Sequence, residues 1–266
     1  MRIDAYLAQN GLCKSRERAR ILILQECVKV NGITVTKPSF SVTGEEDIQI
    51  HDIYERYVGR GGFKLEKALD FFQVNAQGAT VLDIGASTGG FTDCWLQHGA
   101  AKVYALDVGN GQLAPSLLED ERVVSMENTD ARVLDAQQVF GVTRISVDVS
   151  FISLTRIFPV IYRLLPENGM ALALIKPQFE AGRQHLSSHG VVKSKTVHVK
   201  VLQGIVQAAE NLPLTVRGMT FSPLKGGDGN IEYWIWLTKD GGSYPQIDCE
   251  TLVEETFDHF KKEARL

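Results

Sequence analysis

Four charged residues stand where short apolar runs stop. Asp83 lies near the end of Thr80–Ile84, Asp107 follows Lys102–Leu106, Asp148 closes 145–148, and Lys176 follows Met170–Ile175. Runs of this length, separated by helical stretches, read as parallel strands covered on both faces. Their C-terminal ends then share one edge, where open α/β sheets bind ligands. Lys176 carries the most pointed chemistry. Its stem leaves a buried strand, and desolvation or a second ammonium nearby favours the neutral amine, which suits a base or hydroxyl-activating group. The plainer alternative is an ammonium that reaches solvent past the strand end.

The turn after the first of these strands reads Gly85-Ala86-Ser87-Thr88-Gly89-Gly90. Gly85, Gly89 and Gly90 let the backbone turn tightly and bring a ligand near main-chain N–H groups. Ser87 stands where a pyrophosphate-binding G-x-G-x-x-G loop has glycine. Asp107, about 20 positions further on, is spaced to take both hydroxyls of a ribose. A nucleoside without a pyrophosphate fits both features and points to S-adenosylmethionine. Its candidate contacts are Asp83, Gly85, Ser87, Gly89, Gly90, Phe91, Thr92 and Asp107, with Asp130 beside the adenine. Asp130 suits equally the cap of a following turn. The same stretch also spells the G-x-S-x-G nucleophile elbow, with Ser87 as nucleophile and Asp228 and His259 in a permitted order. No HGGG-type oxyanion loop precedes it, which disfavours a serine hydrolase.

The elements that must position these residues fit an ordinary globular chain of 266 residues, 44% hydrophobic and 23% charged, enough for one large domain and a small one. A net charge of −4 announces no nucleic-acid binder, so any such surface is local. Cys13, Cys27, Cys94 and Cys249 are scattered, which argues for a reducing compartment and against a metal or disulfide framework. No apolar run is long enough to span a bilayer. The expectation is a cytoplasmic protein with no membrane and no metal.

Basic residues cluster early, at Arg2, Lys14, Arg16, Arg18, Arg20, Lys29 and Lys37. Two short helices broken near Gly11, the second capped by Ser15, precede Val-Lys-Val-Asn31-Gly32-Ile-Thr-Val, a strong hairpin signal. A cluster of this kind can be merely a solvated helix face. The order of parts, Arg2-Ile3-Asp4, Lys14-Ser15-Arg16, Arg18-Ala19 and Val28-Lys29-Val30-Asn31-Gly32, closely resembles the S4 type RNA-binding domain, an α+β unit. That resemblance implies docking on structured RNA through shape and phosphates. It makes Arg2, Lys14, Ser15, Arg16, Arg18, Arg20 and Asn31 candidate RNA contacts, with Arg60 in the basic turn Arg60-Gly61-Gly62 further on. The expected organisation is 1–52 for this unit, a linker over 53–62 and a second domain over 63–266. A helix over 63–72 opens that domain and holds Lys64 in its first turn, unfavourably for the helix dipole. A polar loop over 181–194 is long enough to act as a substrate lid.

Five motifs together carry a second resemblance: Arg60-Gly61-Gly62-Phe63-Lys64-Leu65, the segment 83–92, Asp148-Val149-Ser150-Phe151-Ile152-Ser153-Leu154, Ile175-Lys176-Pro177-Gln178-Phe179-Glu180, and Gly229-Asn230-Ile231-Glu232. The chain resembles, end to end, the TlyA family, in which an S4 type domain precedes an FtsJ/RrmJ-like methyltransferase. The resemblance implies a Rossmann-like S-adenosylmethionine-dependent methyltransferase sheet with helices on both faces. It implies 2′-O-ribose methylation of ribosomal RNA, on cytidines in characterised members, with ribosomal RNA or subunits as partners. It also implies a Lys-Asp-Lys-Glu tetrad, here Lys64, Asp148, Lys176 and Glu232. Members are often labelled haemolysins, yet neither a spanning helix nor a barrel pattern is visible. The competing expectations are a base or protein-nitrogen methyltransferase, whose Pro-Pro loop is missing at Asp148–151, and a non-catalytic ribosome-assembly factor.

Overall fold

The computed structural model describes residues 1–13, 15–24, 27–50, 56–242 and 244–263. The chain divides into two compact units, Met1–Arg56 and Tyr57–Leu266.

In the first unit, helices α1 (Ile3–Gln9) and α2 (Arg16–Leu24) pack on each other, and strands β1 (Val28–Val30), β2 (Ile33–Thr34) and β3 (Ile48–Ile50) form a sheet in the order β2-β1-β3. The Asn-Gly turn forms as its sequence demands, with φ +49° at Asn31 and +78° at Gly32. Asn31 Oδ1 also accepts the Asp47 N–H, which fastens the hairpin to the approach to β3. Ile3, Leu7, Leu22, Val28 and Val30 make a small core.

The second unit is built on a seven-stranded sheet. In chain order its elements are α3 (Gly61–Phe72), β4 (Thr80–Ile84), α4 (Gly90–Gln97), β5 (Lys102–Leu106), α5 (Pro115–Leu118), β6 (Val123–Met126), β7 (Arg144–Val147), α6 (Phe158–Leu164), β8 (Met170–Ile175), α7 (Pro177–Glu180), α8 (Lys195–Glu210), β9 (Thr215–Phe221), β10 (Tyr233–Thr238) and α9 (Cys249–Glu263). The strand order β6-β5-β4-β7-β8-β10-β9 reverses direction between β4 and β7, which creates a ligand crevice there. β10 inserts antiparallel between β8 and the edge strand β9. The helix expected over 154–164 divides into a 3-10 turn, Leu154–Arg156, and α6, because Pro159 stands in its first turn.

Alternate residues of the strands feed two cores. Val81, Val103, Leu172, Leu174 and Trp234 face one side with Leu65 and Leu69 of α3 and Trp95 of α4. Leu82, Ile84, Ile145, Ala173 and Tyr233 face the other with the cores of α6, α8 and α9. Carrying that period of two past the strand ends places Asp148, Lys176 and Glu232 on the α3 side. The N-terminal part of α3 begins two residues earlier than expected, at Gly61. Residues 57–62 belong to this unit: Val58 donates its N–H to Asp93 of α4, and a Cβ on Gly62 would lie 2.3 Å from the Tyr57 ring.

Candidate active site

Strand register sets the level of each group. Ile84 pairs with Leu106 and with Val147, so Gly85, Asp107 and Asp148 leave the sheet side by side. Tyr233 pairs with Ile175, so Glu232, one residue before β10, and Lys176, one residue after β8, meet across the antiparallel seam. Helix α3 delivers Lys64 from the same face.

Two close ion pairs result. Lys64 Nζ lies 2.6 Å from Glu232 Oε2, with side-chain exposures of only 11% and 2%. Lys176 Nζ lies 2.6 Å from Asp148 Oδ1, with exposures of 11% and 21%. The second contact is an ion pair without hydrogen-bond directionality; the directed hydrogen bond of Lys176 goes to Ser150 Oγ at 3.0 Å. Burial pushes the Glu232 carboxyl up, Lys64 pulls it down, Asp148 adds to the rise and Lys176 opposes it. Glu232 therefore feels the other three charges of the cluster. Gly226 makes room for it, since a Cβ there would lie 2.5 Å from Glu232 Oε1.

Two aromatic rings border this cluster. Phe151 is 91% exposed, holds φ +63° and packs at 5.0 Å from Phe179. A bulky residue at positive φ is strained, and such strain gathers at functional sites. Sequence reading quoted Phe151 only within a motif. Its place three residues after Asp148 was the available signal; its exposure and its backbone conformation were not legible.

The glycine turn and Asp107 form the adjoining crevice. Gly85 runs at φ +86°, and a Cβ would lie 2.5 Å from the Asp148 carbonyl oxygen, so the turn and the β7 end touch directly. Asp107 accepts the Ser87 N–H on Oδ2 at 2.8 Å and the Gly109 N–H on Oδ1 at 2.7 Å. Each oxygen keeps a second lone pair, a matched set for two vicinal hydroxyls. Ser87 and Thr88 are exposed at the top of the turn. These donors and acceptors fit the nucleoside and amino-acid parts of S-adenosylmethionine.

The other expected contacts have partners within the protein. Asp83 lies inside β4, fully buried, with its oxygens taken by the Thr92 and Ser146 hydroxyls at 2.7 and 2.8 Å. Desolvation pushes its carboxyl up to about 7, against the pull of those hydroxyls. Phe91 is buried against Trp234, with ring centroids 5.3 Å apart. The side chains of Asp83, Phe91 and Thr92 thus support the turn from within, because α4 packs its first turn onto the sheet. Asp130 caps the 3-10 turn Ala131–Val133 and pairs with Arg132 at 2.6 Å. Asp228 is exposed in the loop before β10, and the His259 ring packs against Phe221 at 4.8 Å. No described contact ties either one to Ser87.

In the first unit, Arg2 and Arg16 both reach Asp4, at 3.0 and 3.2 Å. Asp4 is fully buried, and the Arg2 hydrogen bond, reinforced by Arg16 against desolvation, holds its carboxyl down at about 2. Asp4 was part of the R-x-D signal but received no role from sequence. Ser15 Oγ accepts the Arg18 N–H at 3.1 Å, as an N-cap does, and Arg20 is exposed. Lys14 lies outside the described residues. Arg60 belongs to the second unit and donates to the Lys225 carbonyl at 3.2 Å.

Comparison with known proteins agrees with both halves of this description. The FtsJ-like methyltransferase model matches residues 57–239, and the S4 domain model matches residues 1–48. The chain belongs to the TlyA family of FtsJ-like methyltransferases. The 16S/23S rRNA (cytidine-2′-O)-methyltransferase TlyA of Mycobacterium tuberculosis is 39% identical over 238 residues, covering 89% of each chain. Hemolysin A of Brachyspira hyodysenteriae is 42% identical over 236 residues, covering 88% of this chain and 98% of its own. A solved hemolysin-designated protein from Streptococcus thermophilus superposes with a TM-score of 0.80 at 38% identity, covering 100% of this chain and 98% of that one. Among the described residues of this TlyA-family protein, no helix is long and apolar enough to cross a membrane, and no group of three or more His, Cys, Asp or Glu could hold a metal.

Proposed function

We propose that this protein transfers a methyl group from S-adenosylmethionine to a ribose 2′-hydroxyl of ribosomal RNA, on a cytidine, in the context of a ribosomal subunit. The observation that carries the reading is the pair of buried lysine–carboxylate contacts meeting at the sheet edge, beside the glycine turn and the Asp107 carboxylate. TlyA relatives named for this reaction support it.

When bound, S-adenosylmethionine supplies a methyl group already activated by a sulfonium. The turn 85–90 and Asp107 hold it. Lys176 spends one N–H on Ser150 and sits against Asp148, which leaves an N–H to fix the 2′-oxygen in line and to stabilise the negative charge that grows as its proton passes to water, the C–O bond forming as the S–C bond breaks. Lys64, steadied by Glu232, contacts the ribose or a neighbouring phosphate. Phe151 offers an exposed ring face to a base lifted from its stack. Residues 1–52, with Arg2, Arg16 and Arg20 outward, anchor the RNA ahead of the methyltransferase unit.

The test is tritiated S-adenosylmethionine with unmodified ribosomal subunits, beside Lys176→Ala. Label in an alkali-resistant ribose, lost by about 10³-fold in Lys176→Ala while cofactor binding holds, is expected. Label on a base would refute the tetrad. Bound cofactor with no transfer would favour an assembly factor.

A further inference from the structure

The loop that follows Asp107 is held in place by a carboxylate from the neighbouring strand. Glu127, just past the end of β6, accepts three consecutive backbone N–H groups: Gly111 on Oε2 at 2.9 Å, and Gln112 and Leu113 on Oε1 at 2.7 and 3.2 Å. Those hydrogen bonds hold its carboxyl below the usual range, Gln112 contributing most. The next residue adds to the grip. Asn128 donates its N–H to the Gly109 carbonyl at 2.9 Å and its amide to Asn110 Oδ1 at 3.1 Å. In return, Thr129 donates its N–H to the Asp107 carbonyl at 2.9 Å.

The gripped loop touches both parts of the crevice. At one end, Gly109 gives its N–H to Asp107 Oδ1, which fixes one oxygen of the carboxylate that would meet the ribose. At the other, Ala114 gives its N–H to the Thr88 carbonyl, and Leu113 and Leu117 lie where a Cβ on Gly89 would be, at 2.8 and 2.2 Å. Ribose acid and glycine turn are thus braced by one loop. Gly111 runs at φ +64°, with open space around it, and nothing else described for Gly111 and Gln112 holds their backbone as Glu127 does. A backbone segment of this kind, exposed and rich in glycine, is costly to order unless its N–H groups have a fixed acceptor.

We propose that Glu127 is a positioning residue for the cofactor: it touches no reacting atom, and its carboxylate holds 109–113 so that Asp107 and the Gly85–Gly90 turn are ready for the nucleoside. This inference rests on the S-adenosylmethionine reading above. It separates affinity from chemistry. The Lys176 and Lys64 pairs stand on β8, β10 and α3, and none of the Glu127 contacts reaches them. Loss of the clamp therefore weakens cofactor binding and leaves the transfer step alone.

The test uses the full chain and titrates S-adenosylmethionine and S-adenosylhomocysteine by calorimetry into wild type, Glu127→Gln and Glu127→Asp. Glu127→Gln, close in shape but uncharged, is expected to weaken both ligands about tenfold, to raise KM for the cofactor in parallel, and to leave kcat at saturating cofactor within about twofold. Glu127→Asp keeps the charge with a shorter reach and should fall between, a partial rescue that a merely structural residue would not give. Hydrogen exchange at Gly111, Gln112 and Leu113 should quicken in Glu127→Gln without ligand. Unchanged affinity with unchanged exchange overturns the clamp, as does a fall in kcat with KM unmoved. If Glu127→Gln fails to fold, Glu127→Asp carries the same readouts, and wild-type affinity in it overturns the clamp. Failure of wild type itself to bind either ligand overturns the cofactor reading, and the role of the clamp with it.

Discussion

In the N-terminal unit two arginines share Asp4, at 3.0 and 3.2 Å; in the C-terminal unit two lysines meet Glu232 and Asp148 at 2.6 Å each. Both arrangements set cations on withdrawn carboxylates, but they expose different partners. Arg2 and Arg16 stay 49% and 58% exposed while Asp4 is wholly buried. Lys64 and Lys176 are withdrawn to 11%. The first arrangement fixes two permanent charges on one carboxylate and leaves them half exposed, as suits many phosphates of similar kind. The second withdraws two compact charges from water and fixes their positions. Recognition of a backbone calls for exposed charge of fixed direction; activation of a single hydroxyl calls for desolvated charge of fixed position. Asp83, also buried, has hydroxyl partners in place of a cation, and burial raises its affinity for protons, as it does for Glu232 and unlike Asp4.

The comparison is most easily broken at the buried pair. Lys64→Ala strips the buried Glu232 carboxyl of its nearest cation, and should cost about 3 kcal/mol of stability along with most of the turnover. The double replacement Lys64→Met with Glu232→Leu should recover most of that stability and none of the turnover. Denaturant unfolding and methyl transfer on the same three proteins separate the two effects. A stable Lys64→Ala would mean that the pair is solvated and that the contrast with Arg2 and Arg16 is false.

A smaller effect is expected in the first unit. Arg2→Ala should weaken binding of a ribosomal RNA fragment and lower the slope of log K against log salt by about one. Turnover at saturating RNA should stay within about twofold. Stability should change little at neutral pH, because the guanidinium is half exposed and screened by solvent. Asp4 is depressed, so its contribution is present above the ordinary carboxylate value and is lost as the pH falls toward 2. A fall in kcat with unchanged RNA affinity would assign Arg2 to chemistry and erase the division of labour.

The smallest effect sharpens the comparison at Asp83. Its folded value, about 7, lies above the unfolded one near 4. The folded state therefore binds the proton more tightly, and the associated stability is present below the unfolded value and lost as pH rises through about 7. Thermal midpoints between pH 5 and pH 8 should decline in wild type by more than in Asp83→Asn. Equal slopes would show that the Thr92 and Ser146 hydroxyls hold the charged form.

Much of this was legible in the chain. The alternation of apolar runs and helical stretches announces the parallel sheet, since a strand covered on both faces must be apolar throughout, as 170–175 is. The Asn31-Gly32 turn and the Ser15 cap are local chemistry and form as read. The motifs that carry Lys64, Asp148, Lys176 and Glu232 mark charged residues near element ends. Sequence could not separate a carboxylate that faces a crevice from one turned inward. Asp83 and Asp107 both lie at strand ends, and only the lateral register of Asp83 with Ser146, together with Thr92 above it, buries the first. Nor did spacing foretell the service of Glu127, whose partners lie some fifteen residues back along the chain.

The sequence by itself determined which elements form, where the turns fall, and which side chains have the chemistry for a nucleoside, a hydroxyl and a phosphate, because those properties depend on residue type and on neighbours within a few positions. The tertiary structure alone decided which carboxylate meets which lysine. Glu232 finds Lys64 across 168 positions only because β10 enters the sheet antiparallel beside β8 while α3 crosses the same face. Pairing at that distance is set by register and by desolvation, and both exist only once the sheet has closed around its two cores.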